Sequence, residues 1–426
     1  MSNSALKNID WITVSIYVLL VGMGWLNIYS TTVADTNASL FNLEYSYGKQ
    51  LFFILLSIGL IVFILSVSSK LYERFASIYY LVFIALLVGL FLFGNTISGA
   101  TSWYAIGGFS FQPSEFAKVT TLLVLAKYLS DIQTDIRNMR YQLGAFIIIA
   151  VPAMLTLLQP DPGTALTYAA FFFMLYREGL PSVYVAIPII TAVLFIATLI
   201  FGAYWVGAGI AFLLLCYIII WKRRQKKVRY LPLLSILAVA ILFSFSVTYI
   251  YDNVLQQRHQ ERLSLWLNLE KDPKKIEQIK KTIGYNTHQS EVAVSSGKLL
   301  GKGFLEGTLT KGNFVPEQHT DYIFTSVGEE WGFAGSLFVV LVFVLFLLRL
   351  LFLAERQKST FSRSYGYGMV AIFFIHFVIN IGMVIGLLPT VGIPLPFFSY
   401  GGSGLLSFTL LLFIFLKLDT NKYIHA

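Results

Sequence analysis

Hydrophobic positions along this chain fall into long uninterrupted blocks rather than short alternations. Apolar runs occupy roughly 11–30, 50–68, 76–94, 115–130, 142–158, 163–176, 183–201, 204–221, 231–250, 333–354, 366–388 and 404–418. A bilayer core takes about 20 apolar residues per helix. The pattern therefore predicts an all-α, polytopic integral membrane bundle of about 10–12 transmembrane helices. The runs 115–130 and 163–176 are short and carry polar residues. Gly202 and Ala203 alone separate 183–201 from 204–221, as in a hairpin or one bent unit. The first run is long for the apolar part of a cleaved leader and reads as a retained signal-anchor helix.

Composition agrees. Of 426 residues, 57% are hydrophobic and 12% charged, about half the charged fraction of a soluble domain. That excludes an ordinary soluble enzyme, a disordered chain and a disulfide scaffold. Cys216, the single cysteine, lies inside an apolar run. The net charge of +9 is placed by topology. With the N-terminus in the cytoplasm, the inside loops hold Lys70 and Arg74, Arg137 and Arg140, Arg177, the cluster Lys222, Arg223, Arg224, Lys226, Lys227 and Arg229, then Arg356, Lys358 and Arg363, and Lys422. Short outside loops hold almost none, which is the positive-inside pattern and points away from a nucleic-acid partner. The chain reads as one membrane domain over 1–426, with a hairpin at 183–229 that ends in the basic cytoplasmic loop. A long polar stretch at 251–332 falls outside. Within it Ile276, Ile279 and Ile283 recur at helical spacing among lysines, as in a surface-lying amphipathic helix or a solvated one.

Four polar places interrupt this scheme, and ionisable groups at membrane depth are functional candidates. The first runs from Trp103 to Lys118. There Pro113 opens a helix, Ser114 is a plausible cap, and Glu115 sits in the first turn, where the helix dipole favours an anion. Lys118 lies one turn on, on the same face, and needs a carboxylate or an anionic ligand. The second is Gln159-Pro160-Asp161-Pro162-Gly163-Thr164, whose Asp161 is the obvious partner for Lys118, as a structural salt bridge, a substrate site or both. The third is Val315-Pro316-Glu317-Gln318-His319-Thr320-Asp321, followed by Tyr322-Ile323-Phe324 and then Glu329-Glu330. Glu317 and Asp321 share a face if this part is helical. The apolar neighbours would desolvate Asp321 and raise its pKa toward that of a general base. Capping and interfacial solvation are the plainer reading. His319 with two acids is a weak metal signal. The fourth runs from Gly392 to Gly404 and contains Pro394, Pro396, Ser399 and four glycines. Such a segment cannot be a regular helix, and at membrane depth it must line a cavity or be covered by protein. Ser296-Gly297-Lys298-Leu299 fails the spacing of a phosphate-binding P-loop.

Taken in order, these four motifs resemble the SEDS family (shape, elongation, division, sporulation) of bacterial cell-wall polymerases. They are Gln112-Pro113-Ser114-Glu115 with Lys118; Gln159-Pro160-Asp161 with Gly163-Thr164; Pro316-Glu317 with His319-Thr320-Asp321; and Pro394-Leu395-Pro396 with Ser399-Tyr400-Gly401-Gly402-Ser403. Gly301-Lys302-Gly303-Phe304 with Gly307-Thr308 has the form of the RodA branch rather than the FtsW branch. The resemblance implies a peptidoglycan glycosyltransferase that polymerises lipid II, an undecaprenyl-pyrophosphate-linked disaccharide peptide. It would act at the outer face of the bacterial cytoplasmic (inner) membrane, beside a class B penicillin-binding protein that crosslinks the strands. It also implies that Asp321 is essential, that Lys118 and Asp161 line a central cavity, and that Trp103 and Glu115 fall on motif positions. Three features depart from the family. Ser102 stands where the family usually has Arg, residues 274–283 look inserted, and the family has about ten spans, which makes 183–221 the probable addition.

The expected chemistry follows from the substrate. An acceptor hydroxyl attacking an anomeric carbon needs a base, for which Asp321 is the candidate. The departing pyrophosphate needs positive charge, for which Lys118 and Arg262 are candidates. Glu317, His319 and Ser399 complete the candidate substrate cavity. A divalent cation acting through the acids is a further candidate, though the sequence shows no complete ligand set. Membrane lipids surround the spans. A flippase for a lipid-linked precursor or another membrane transporter is the rival reading, since buried Lys and Asp beside a broken helix would suit one. A non-catalytic scaffold for a partner synthase is a second.

Overall fold

The computed structural model describes residues 8–33, 39–97, 99–107, 109–224, 229–255, 257–282, 284–312 and 314–420. Lys226, Lys227, Ile283 and Lys422 of the reading above lie outside them. The chain divides into two compact units, one formed by 1–181 with 289–426 and the other by 182–288.

The first unit opens with α1 (Trp11–Thr32), α2 (Ser46–Ser66) and α3 (Ser69–Phe93). Asp10 caps α1 by accepting from the Thr13 amide at 3.0 Å. After α3 the chain forms an antiparallel meander of β1 (Asn95–Ile97), β2 (Ala100–Ile106) and β3 (Phe109–Phe111), the β structure among the described residues. Helices α4 (Pro113–Ser130) and α5 (Met139–Leu158) follow. The apolar run at 163–176 breaks into two short helices, α6 (Pro162–Thr167) and α7 (Ala170–Arg177).

The second unit holds α8 (Val183–Phe201), α9 (Ala203–Arg223), α10 (Tyr230–Asn253), α11 (Gln257–Trp266) and α12 (Pro273–Lys281). The first two form a hairpin that turns at Gly202. The expected amphipathic stretch is α12; its Ile279 is buried, and the neighbouring Gly284 packs on Leu265 of α11 within the same unit. This helix therefore spends part of its apolar face, at Ile279, on protein.

Helix α13 (Tyr285–Ser296) leads back into the first unit, followed by α14 (Thr308–Lys311), α15 (Ile323–Glu330), α16 (Gly332–Glu355), α17 (Thr360–Val384) and α18 (Gly402–Thr420). The polar stretch 251–332 is thus largely helical.

Among the described residues ten helices are long and apolar enough to cross a membrane, rather than all twelve apolar runs. The two that fall short are the two short polar runs. Helix α4 carries Glu115, Lys118 and Lys127, and 163–176 is interrupted around Ala169. The most apolar window of α18 is 78% buried, against 6% for that of α8. Together α4, α17 and α18 form the core of the first unit, and their buried faces hold Glu115, Lys118, His376 and Asn380.

Candidate active site

The broken segment 385–401 is irregular throughout, as its prolines and glycines dictate, and it links the other three polar motifs. Its own turn is closed by Ser399, whose hydroxyl accepts from the Leu395 amide at 2.9 Å while its amide donates to the Leu395 carbonyl at 3.0 Å. Ser399, expected to face substrate, has its hydroxyl committed to this turn.

The Asp161 motif packs against that segment. A side chain at Gly163 would come within 2.7 Å of the Val391 carbonyl, so the close approach requires glycine. Asp161 caps α6, accepting from the Thr164 amide at 3.0 Å and its hydroxyl at 2.9 Å. Gln112 donates to it at 3.2 Å. The pairing with Lys118 expected from sequence does not form. Asp161 is satisfied by neutral donors, whereas the Lys118 ammonium meets Glu115 at 3.0 Å and His376 Nε2 at 3.0 Å. Glu115 lies one turn away on the same helix, so its contact with Lys118 is local and needs no other element. Ser407 donates to the second Glu115 oxygen at 3.4 Å, and Lys118 stands 5.4 Å from the Phe408 ring centroid. Both charges are almost fully buried. Ser114 is not the cap. Gln112 holds the N-cap position, Pro113 opens the helix, and the buried Ser114 hydroxyl has no partner among the described residues.

The Asp321 motif forms a turn rather than a helix. Glu317 sits at φ +57°, a left-handed conformation that costs a residue with a side chain about 1–2 kcal/mol. Its carbonyl accepts from the Thr320 and Tyr322 amides. Three ties hold this turn to the broken segment. The Tyr400 amide donates to the His319 carbonyl at 2.8 Å. The Tyr322 and Thr390 hydroxyls are 3.3 Å apart. Asn380 Nδ2 donates to both the Asp321 carbonyl, at 2.8 Å, and the Ile393 carbonyl, at 2.7 Å. Gly392, at φ +78°, leaves room for the Asp321 carboxylate; a side chain there would stand 3.2 Å from Oδ2.

Asp321 keeps some solvent contact, yet the protein around it is dense enough that burial pushes its carboxyl up to about 7. The neighbouring carboxylates of Glu317, Asp161 and Glu115 push the same way. Tyr322, Ile323 and Phe324 supply the apolar enclosure, each almost fully buried. Burial also lowers the His319 imidazole, partly opposed by exposed Glu317, so the ring is neutral at pH 7. Asp321 is thus a carboxylate with no ion pair among the described residues, poised to gain or lose a proton near neutrality.

The remaining candidates take other places. Trp103 is part-buried on β2, opposite Asn95; beside it Ser102 is fully buried, and the Thr101 amide donates to the Gln159 carbonyl at 3.1 Å. Glu329 is a structural anchor. Burial would raise it, but Lys302 at 2.6 Å and the Leu309 and Thr310 amides outweigh that and hold it low. Glu330 is pushed up by burial and accepts from Ser30 of α1. Arg262 is part-buried on α11 of the second unit. No three His, Cys, Asp or Glu side chains converge as a metal site among the described residues. Sequence reading missed His376 and Asn380, although both are polar groups inside an apolar run, the same signal that singled out Lys118.

The family model described as "Cell cycle protein" (FtsW, RodA, SpoVE) matches residues 10–215 and 205–424. The peptidoglycan glycosyltransferase RodA of Treponema pallidum is 30% identical over 430 residues, covering 94% of each chain. The peptidoglycan glycosyltransferase MrdB of Escherichia coli is 31% identical over 356 residues, 82% of this chain and 80% of its own. A chain from a peptidoglycan synthase complex that coordinates polymerization and crosslinking superposes with a TM-score of 0.69 at 24% identity, covering 97% of this chain and 98% of its own. The rod shape determining protein RodA of Thermus thermophilus gives 0.61 at 23% identity, with the same coverage; at these identities both show the fold alone. Matched by that model over nearly its whole length, this chain is a multi-pass membrane protein of the FtsW/RodA/SpoVE family.

Proposed function

We propose that this protein is a peptidoglycan glycosyltransferase of the elongation type, and that it polymerises lipid II at the outer face of the cytoplasmic membrane with Asp321 as general base. The observation that carries this reading is Asp321 itself, an enclosed carboxylate without a cationic partner, held between the 315–322 turn and Gly392 at a pKa of about 7. Such a group accepts the proton of an attacking sugar hydroxyl as the new glycosidic bond forms and the bond to pyrophosphate breaks. Lys118 is the candidate for the positive charge that a departing pyrophosphate needs. Relatives named as peptidoglycan glycosyltransferases align over most of the chain, which supports the reaction class. The RodA-like form of 301–308 supports elongation over division. The family model matches residues of both units, which supports reading them as one membrane domain, with 251–332 outward, 183–229 an added hairpin and both termini cytoplasmic. A class B penicillin-binding protein is the expected crosslinking partner.

Lipid II incubated with purified protein, alone and with its transpeptidase, tests the reaction; long glycan strands are expected, and none under either condition would refute it. Transport of a lipid-linked precursor, the reading favoured by the buried Lys118–Glu115–His376 chain, predicts translocation in vesicles without strand growth. Sidedness is tested with Cys216→Ser as background and single cysteines replacing Gln225 or Gln278. An impermeant maleimide on intact spheroplasts should label 278 and spare 225, and the reverse would overturn the outer-face assignment.

A further inference from the structure

Helix α17 carries two polar side chains one turn apart, His376 and Asn380, and so presents them on one face. Both are essentially fully buried. They reach consecutive carbonyls of the broken segment. Asn380 Nδ2 lies 2.7 Å from the Ile393 carbonyl oxygen, and His376 Nδ1 lies 3.2 Å from that of Pro394. Irregular backbone inside an apolar bundle needs such donors, because no water is there to satisfy its carbonyls. That need alone would explain one contact from each residue. Each makes a second, to a group outside the segment.

Asn380 uses its other amide hydrogen on the Asp321 carbonyl at 2.8 Å. Its Oδ1 is left without a partner among the described residues. Turning the amide over would point that oxygen at two carbonyl oxygens, so the two donor contacts fix its orientation. His376 Nε2 lies 3.0 Å from the Lys118 ammonium. An ammonium only donates, so Nε2 is the acceptor and Nδ1 carries the hydrogen given to Pro394. The neutral ring also stands edge-on to Phe408, with centroids 4.9 Å apart.

From this arrangement we infer that His376 and Asn380 are positioning residues, a bracket on α17 that sets the spacing between Asp321 and Lys118 by clasping adjacent carbonyls of the loop between them. Asp321 is held through its own backbone and Lys118 through its ammonium, both referred to one rigid helical turn. The inference rests on the reading of Asp321 as the base. A reacting group displaced by about 1 Å loses roughly 100-fold in rate. Loss of either clasp therefore lowers turnover more than substrate affinity.

The test measures lipid II polymerisation by the purified protein with its transpeptidase, per folded molecule, across pH. The variants are Asp321→Asn, Asn380→Leu, Asn380→Ser, His376→Phe and His376→Gln. Asn380→Leu and His376→Phe are expected to lower kcat by about 10–100-fold with KM within about twofold. His376→Gln restores most of the loss, because its amide offers both a donor and an acceptor. Asn380→Leu also shifts the pH midpoint of kcat. The charged groups facing Asp321 are Glu317 on its own turn, Asp161 at the start of α6 and Glu115 on α4, and all remain in the variant, so a shift reports movement of Asp321 among them. Should Asn380→Leu fail to fold, Asn380→Ser, which keeps one donor, is read by the same two measures. If Asp321→Asn keeps the wild-type rate, the base assignment falls, and the inference with it. If Asp321→Asn is inactive while the α17 variants keep wild-type kcat and midpoint, the bracket alone is refuted. It is refuted equally if Phe and Gln at 376 lose the same activity with no shift of midpoint in any Asn380 variant.

Discussion

The two ends of the first unit handle charge in opposite ways. At one end four acids each hold an arginine: Asp10 with Arg349, Glu355 with Arg177 at 2.9 Å, Glu178 with Arg363 at 2.9 Å, and Asp419 with Arg356 at 2.6 Å. At the other end Asp321, Asp161, Glu317 and Glu330 make no ion pair among the described residues. Arginine matches a carboxylate in a flat, two-pronged contact and keeps it ionised, which holds helix ends together and leaves nothing to titrate near neutrality. At Asp321 burial and the neighbouring carboxylates raise the proton affinity instead. The paired end is built to stay as it is, and Asp321 at the unpaired end to exchange a proton with something that enters.

The difference can be broken most strongly at Asp321. Asp321→Asn removes the proton acceptor and keeps its shape; strand synthesis should fall by about two to four orders of magnitude. The same change should stabilise the fold at high pH. The Asp321 carboxyl titrates near 7 in the folded chain against 3.8 as a free side chain, so its contribution to stability is complete below 3.8 and lost as pH rises through 7. A thermal melt at pH 8 that shows the Asn variant no more stable than wild type would contradict this.

Two ion pairs are exceptions within the unpaired end, Glu329 with Lys302 and the more deeply buried Lys118 with Glu115. Removing one partner of the latter leaves the other uncompensated, at about 3–5 kcal/mol. Lys118→Met and Glu115→Gln should each destabilise strongly, and together by less than their sum. Lys118→Met with Asp161→Asn should instead add, because those two do not touch. Detergent-solubilised melting curves for the two cycles decide between the partners.

Glu317 sharpens the contrast more gently. It is exposed, and its charge is the largest electrostatic contribution to Asp321 after burial. Activity requires Asp321 ionised, so the rate should rise with pH through about 7. Glu317→Gln removes a negative neighbour and should move that midpoint to lower pH, and an unmoved profile would detach Glu317 from the base. The smallest effect belongs to the paired end. Arg177 and Glu355 are both about half exposed. Arg177→Gln should cost about 0–1 kcal/mol with polymerisation unchanged.

Much of this was legible without coordinates. Apolar run length gave twelve runs, of which ten are helices long and apolar enough to span, and the polar interruptions located the four segments that converge. Two things stayed hidden, for physical reasons. The partner of Lys118 depended on which carboxylate the fold brings close, and a local contact with Glu115 won over the long-range one with Asp161, already satisfied by Thr164 and Gln112. His376 and Asn380 sat inside a run whose mean hydropathy passes for a plain membrane helix, and their importance lies in carbonyls that only the folded segment turns toward them. The small β meander went unread because β1 and β3 have three residues each and the seven of β2, Ala-Thr-Ser-Trp-Tyr-Ala-Ile, do not alternate apolar with polar.

The Asp10–Arg349 pair has a consequence in time. Its partners are 339 residues apart, so α1 is made long before the arginine that will hold its first turn exists. At about 5–20 residues per second the delay is roughly 17–70 s. For that interval Asp10 has only the cap of its own helix to satisfy it, at the boundary where the chain enters the bilayer. Chains stalled on the ribosome before residue 349 should therefore leave α1 more easily extracted from the membrane than chains stalled after it. Assembly of this protein is then gated by its last third, and a lesion at Arg349 would register first as a loosened beginning.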